Sequence, residues 1–141
     1  MPETKEQIFK DVIENWIPIH KTYGVKLLEA SDGYVKLLFP FQEGVIGDPR
    51  VRRLHGGYIA TAIDSSGGAA AMTQMKSTDD DVATADMRVD YLRPGKAQDM
   101  IAVGKIIHST GRTIFTEMTV YQDNPEKPIA IGRGVFTIKH K

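Results

Sequence analysis

The stretch LHGGYIATAIDSSGGAAAMTQM, residues 54–75, carries one formal charge, on Asp64, in an otherwise apolar and small-residue run. It reads as a helix from about 56 to 75. Glycine inside a helix costs up to about 1 kcal/mol relative to alanine. Gly67, Gly68 and the Ala69–Ala71 run therefore imply that another backbone comes close. Either a sheet wraps the helix, or a second helix crosses it at a dimer axis. The run approaches the length of a membrane span, but its Gly, Ser, Thr and Gln content and its central aspartate argue against one. A charge at that depth costs a few kcal/mol in lipid.

Asp64 lies about two turns inside this helix, too far in to cap it. An unpaired carboxylate on a buried helix is expensive, so it needs a partner or a purpose. The plain alternative is an acid on a solvated stripe. Just ahead, Gly56 and Gly57 open the helix, where free N–H groups form a ready oxyanion site and glycine lets a carbonyl approach. A simple hinge at a helix entry is the plain alternative there, and His55 alone reads as a capping or packing residue. Gly56 and Asp64 are eight residues apart, about 12 Å along the axis at 1.5 Å per residue. A reacting carbonyl carbon must sit about 3 Å from both its attacking group and its oxyanion donors. If the two features cooperate, they come from different subunits whose helices run antiparallel about a two-fold axis.

Outward from the helix, the pattern turns to β. In 83–91, Ala83, Ala85, Met87, Val89 and Tyr91 alternate with Thr84, Asp86, Arg88 and Asp90, a one-sided strand. Strand-like runs follow near 99–109, 112–122 and 129–139. Upstream, 24–30 and 33–40 flank a Ser31-Asp32-Gly33 turn, and 41–54 reads as a loop. Thr4 and Gln7 resemble a capping box opening a helix over about 4–18. The expected fold is α+β: one domain, 1–141, with an antiparallel sheet of five to six strands around one long central helix, plus a short N-terminal helix.

The 141 residues hold 18 basic and 18 acidic side chains, so the formal net charge is zero and nucleic acid is not the expected partner. With no cysteine there is no disulfide, thiolate metal site or cysteine nucleophile. The charged N-terminus is unlike a secretory signal, and a soluble cytoplasmic protein without membrane association is expected. No G-x-S-x-G elbow, P-loop or dinucleotide fingerprint occurs. His20, His55, His108 and His140 show no metal-ligand spacing, so neither metal nor cofactor is expected.

The runs LHGGYIATAIDSSGGAAA, VATADMRVDYLRPG, GRTIFTEMTVY and IGRGVFTI together resemble hotdog-fold acyl-CoA thioesterases of the phenylacetic-acid-degradation (PaaI-like, 4HBT) type, over about residues 24–139. The resemblance implies that Asp64 is the general base or nucleophile. It implies that Gly56 gives its N–H to the thioester oxygen with His55 and Gly57 beside it, and that Thr84 positions the attacking water. It also implies an acyl-CoA substrate and a homodimer, often paired into a homotetramer, with coenzyme A at subunit junctions. Many members carry an asparagine six residues before the histidine; here Pro49 holds that place and Asp48 precedes it, in an altered loop. Of the basic residues near strand ends, Arg93 and Arg112 are the first choices for coenzyme A phosphates, since guanidinium suits phosphate geometry. Tyr58, Ile59, Trp16, Met72 and Met75 are candidates for an acyl tunnel or for simple core. Two other readings of the same fold are an acyl-CoA-binding sensor and an enoyl-thioester hydratase.

Overall fold

The computed structural model describes residues 3–141. The chain opens as α1 (Lys5–Asp11) on the expected capping box: Thr4 Oγ1 accepts from the Gln7 N–H, and Gln7 Oε1 accepts from the Thr4 N–H. The helix does not run unbroken to 18. Residues Val12–Trp16 widen into a π-helical turn, and the chain restarts as α2 (Pro18–Tyr23), with Pro18 in its first turn. Proline has no N–H to extend the preceding ladder but is well suited to a first turn. Gly24, at φ 72°, ends α2 in the left-handed region.

Strands β1 (Lys26–Ser31) and β2 (Tyr34–Phe39) form a hairpin, with Val35, Leu37 and Phe39 buried. The segment read as loop contains a 3₁₀ turn (Glu43–Val45) and a small hairpin of β3 (Ile46–Asp48) and β4 (Arg53–Leu54). These strands are too short to leave a periodic signature. The central helix α3 spans Gly56–Met72, ending three residues before the expected limit. Then follow β5 (Asp81–Tyr91), β6 (Met100–Ser109), β7 (Thr113–Tyr121) and β8 (Ala130–Lys139). The six-stranded antiparallel sheet has the order β1-β2-β6-β7-β8-β5 and packs against α3.

The small residues of α3 are explained by the sheet. A Cβ at Gly67 would fall 2.9 Å from both Met118 and Phe136, and one at Gly104 of β6 would fall 2.0 Å from the Ser66 carbonyl oxygen. Side chains at these two places would push helix and sheet apart. Closing that gap buries Ala62, Ile63, Ala69, Ala70 and Ala71 with Leu37, Met100, Met118 and Phe136. Each large side chain so buried is worth roughly 1.5–3 kcal/mol. Among the described residues, no strand pairs with the outer edge of β5. Among the described residues, no helix is long and apolar enough to cross a membrane.

Candidate active site

At the start of α3, His55 is the N-cap, and its Nδ1 accepts from the Gly57 N–H at 2.8 Å. That acceptor role leaves the proton of the neutral ring on Nε2. The Tyr58 and Ile59 N–H groups go to the His55 carbonyl at 3.0 and 3.3 Å. Of the first-turn amides, only that of Gly56 has no acceptor among the described residues. A helix N-terminus carries partial positive charge, so this free N–H is suited to an oxygen gaining negative charge. Tyr91 lies against the same glycine, its hydroxyl donating to the Gly56 carbonyl at 2.9 Å. Sequence reasoning passed over Tyr91, although it belongs to the YLRP run.

Asp64, midway along α3, accepts from the Thr84 hydroxyl on β5 at 2.8 Å. Strict alternation assigns Thr84 to the polar face of that strand, away from the helix. A β-bulge changes this: Thr84 pairs with Phe136 and Asp86 with Val135, leaving Ala85 without a partner. Phe136 lies against Gly67 of α3, so Thr84 shares the helix-facing side. Beyond the bulge, Val89 pairs with Gly132, which meets Ile63 of α3. The extra residue thus brings both Thr84 and Val89 inward, which no unbroken strand could do.

Beside the Gly56 end, the 91–97 turn packs on β4: the Leu54 N–H donates to the Gly95 carbonyl, and Arg53 bridges to Lys96. A cleft of about 310 Å³ reaches Gly56 and Tyr91, lined also by Ile59 and Arg93. It shares Arg53, Arg93, Pro94 and Gly95 with a larger cleft of about 600 Å³ that adds Arg52 and Lys96. Two of these cations are already paired, Arg52 with Glu43 and Lys96 with Asp123. Arg93 donates to the Pro128 carbonyl, and Arg53 makes no ion pair within contact distance among the described residues, although it stands across from Asp48 and its charge acts on that carboxylate. Arg53 and Arg93 are therefore the wall's cations not held in a direct ion pair.

Other expected residues lie elsewhere. Arg112 is in the β6–β7 turn, where its carbonyl accepts from the Ile138 N–H, a residue paired with Val82 near the start of β5. Arg93 follows the far end of that strand, so the two arginines are not brought together. Asp48 is held by Arg50 through two side-chain hydrogen bonds, and that guanidinium keeps its carboxyl below the usual carboxylate range. It has no proton to donate. Tyr58 is core: its hydroxyl donates to the Pro40 carbonyl at 2.7 Å, and burial pushes the phenol up to about 12. Trp16 is 56% exposed and donates its indole N–H to Asp11.

A family model described as the thioesterase superfamily matches residues 53–129, more than half of the chain. A Halobacterium salinarum protein whose name makes it a candidate esterase is 34% identical over 82% of this chain and 80% of its own. The medium/long-chain acyl-CoA thioesterase YigI of Escherichia coli is 26% identical over 85% of this chain and 87% of its own. A crystallographically solved protein of the thioesterase superfamily superposes with a TM-score of 0.87 at 28% identity, covering 96% of this chain and all of that one. With helix, sheet and matched residues in agreement, the chain belongs to the thioesterase superfamily and is a thioester hydrolase built on the hotdog fold.

Proposed function

We propose that this protein hydrolyses acyl-coenzyme A thioesters to the free acid and coenzyme A, in sites that two copies of the chain build jointly. The observation that carries the reading is the pairing of two incomplete halves on one helix. The free Gly56 N–H stands at the start of α3, and the Asp64 carboxylate, held by Thr84, stands about 12 Å further along the axis. Neither half alone can attack a carbonyl and stabilise the oxyanion that results.

The open edge of β5 supports a two-fold arrangement, because Thr84 belongs to that edge strand and holds Asp64 of α3, and a second β5 adding there brings a second α3 alongside, running the other way. The thioester oxygen would then accept from Gly56 of one protomer. Asp64 of its partner would take a proton from water, or attack the carbonyl carbon itself; Thr84 orients that carboxylate. Coenzyme A would leave as the thiol. Its phosphates would lie in the cleft of Arg53 and Arg93, continuous with the Gly56 end. The reading takes the enzyme as a cytoplasmic homodimer that pairs into a homotetramer, needing no cofactor beyond the coenzyme A of its substrate.

The test is thiol release from a panel of acyl-coenzyme A esters by the wild type, Asp64→Asn and Gly56→Pro, and by the two variants co-expressed. Asp64→Asn lowers kcat by about 10²–10⁴-fold, the usual weight of a positioned acid–base group. In a mixed dimer one of the two sites has both native halves. Random pairing makes half of the dimers mixed, so about a quarter of wild-type activity returns. Full activity in Asp64→Asn defeats the assignment of the acid, and no recovery on mixing defeats the shared site.

A further inference from the structure

We propose that His20 and Ser65 act as a positioning pair for Asp64, fixing the middle of α3 so that the carboxylate keeps its working orientation. The proposal rests on the reading of Asp64 as the reacting acid, and the geometry around His20 carries the rest.

His20, on α2, is 2% exposed and meets Phe39 edge-on. Its Nδ1 lies 2.8 Å from the Ile13 carbonyl, which can only accept, so Nδ1 carries the proton. That carbonyl is available for a local reason. It belongs to the π-helical turn, whose i→i+5 partner for Ile13 is Pro18, a residue without an N–H. The other ring nitrogen, Nε2, is then an acceptor, and Ser65 Oγ donates to it at 2.8 Å. Burial holds the ring below its usual pKa, against the opposite pull of the Ile13 hydrogen bond and the nearby Asp64 charge.

Ser65 behaves unlike the other helical hydroxyls. Thr61 and Ser66 turn back to carbonyls of their own helix, those of Gly57 and Ile63, the usual resort of a hydroxyl in a helix interior. Ser65 reaches instead to a residue 45 positions away. Among the described residues this is the only hydrogen bond joining the 4–23 arm to α3. Its placement matters because Asp64 is the next residue. Successive side chains on a helix point about 100° apart. Asp64 is gripped by Thr84 on one side and Ser65 by His20 on another, so the helix is pinned at consecutive residues from two directions. A small rotation of α3 would break one grip or the other, and misplacement of a reacting group by about 1 Å can cost as much as 10²-fold in rate.

Ser65→Ala tests this, since it deletes one hydroxyl and leaves His20 packed; His20→Phe keeps the ring volume and is the second variant. With decanoyl-coenzyme A as probe, Ser65→Ala is expected to lower kcat about tenfold with KM within twofold, as befits loss of transition-state geometry alone. In the Asp64→Asn background the same change should have no further effect, and Ser65→Thr, which restores the hydroxyl, should recover most of the rate. A kcat for Ser65→Ala within twofold of wild type overturns the proposal, as does an equal tenfold loss in the Asp64→Asn background. If Asp64→Asn is impaired and Ser65→Ala is not, only the positioning role falls. If Asp64→Asn is itself fully active, the reading of Asp64 falls and the positioning role with it.

Discussion

The two ends of the α3 story are held in opposite ways. At Gly56 the structure supplies backbone: a cap that consumes the Gly57 N–H, a carbonyl that consumes two more, and one amide left over. At Asp64 it supplies side chains: a threonine on a bulged edge strand and, one residue on, a serine tied to a buried histidine. The first half is local, made by residues 54–59 with Tyr91 laid against them. The second is assembled from α2, α3 and β5, which are far apart in sequence. A helix start needs little more than its own geometry to bind an anion, whereas a carboxylate must be aimed by neighbours.

The largest effect is expected from Gly56→Pro. Proline is favoured at the first helical position, and His55 already has the extended ψ of 133° that a residue before proline adopts. The substitution removes the free N–H and little else. Loss of one oxyanion donor is worth about 10²–10³ in kcat, so that loss is expected with Tm nearly unchanged. If kcat holds while the helix is intact, the amide is not half of the site. Thr84→Val keeps shape and deletes the hydroxyl. A fall of about tenfold in kcat is expected, about 1.4 kcal/mol, just under the ~1.5–3 kcal/mol range of a hydrogen bond to a charged group. A change seen only in KM would mean that Thr84 contacts substrate and does not orient Asp64.

The arginine wall belongs to the backbone half alone. Arg53→Ala should raise KM for an acyl-coenzyme A by about fivefold, more at low salt, with kcat unchanged, the signature of binding shared by ground and transition states. The same substrate stripped to an acyl-pantetheine should not register the change. Equal effects on both thioesters would place Arg53 outside the phosphate contacts.

The local half was the more legible. Leu54-His55-Gly56-Gly57 announces a helix start, and a lone acid in an apolar run announces Asp64, because both signals are confined to one stretch of chain. The antiparallel meander is readable for the same reason, each strand carrying its own alternation. The bulge at Ala85 has no residue signature, so alternation put Thr84 on the wrong side of β5. The β3–β4 hairpin is too short for a period, and the break at Pro18 hid a helix that starts anew. His20 and Ser65 are 45 residues apart, and nothing local to either marks the bond between them. What failed to show in the sequence is what tertiary packing alone creates.

That difference leaves a trace in stability against pH, the smallest of these effects. His20 is buried with a pKa below its usual value, burial outweighing the opposite pull of the Ile13 hydrogen bond and of the Asp64 charge. Its unfolded reference is about 6.5. Between that value and the lower one of the fold, the unfolded chain binds more protons, so stability falls as pH falls through 6.5 and the decline ends once both states are protonated. Asp80 also contributes, but in a separate window. Hydrogen bonds from the Lys76 and Lys141 N–H groups and from His140 hold its carboxyl below the usual range, so its stabilisation is present above about pH 4 and is lost only as acid goes below that. The difference between wild type and His20→Phe in thermal unfolding from pH 7.5 to 5.0 therefore isolates the histidine. Wild type should lose a few degrees of Tm across the range, and His20→Phe should lose less. If His20→Phe retains the full slope, the buried ring is not the proton-sensitive support, and the contrast between a self-sufficient helix start and an externally aimed carboxylate loses its clearest physical signature.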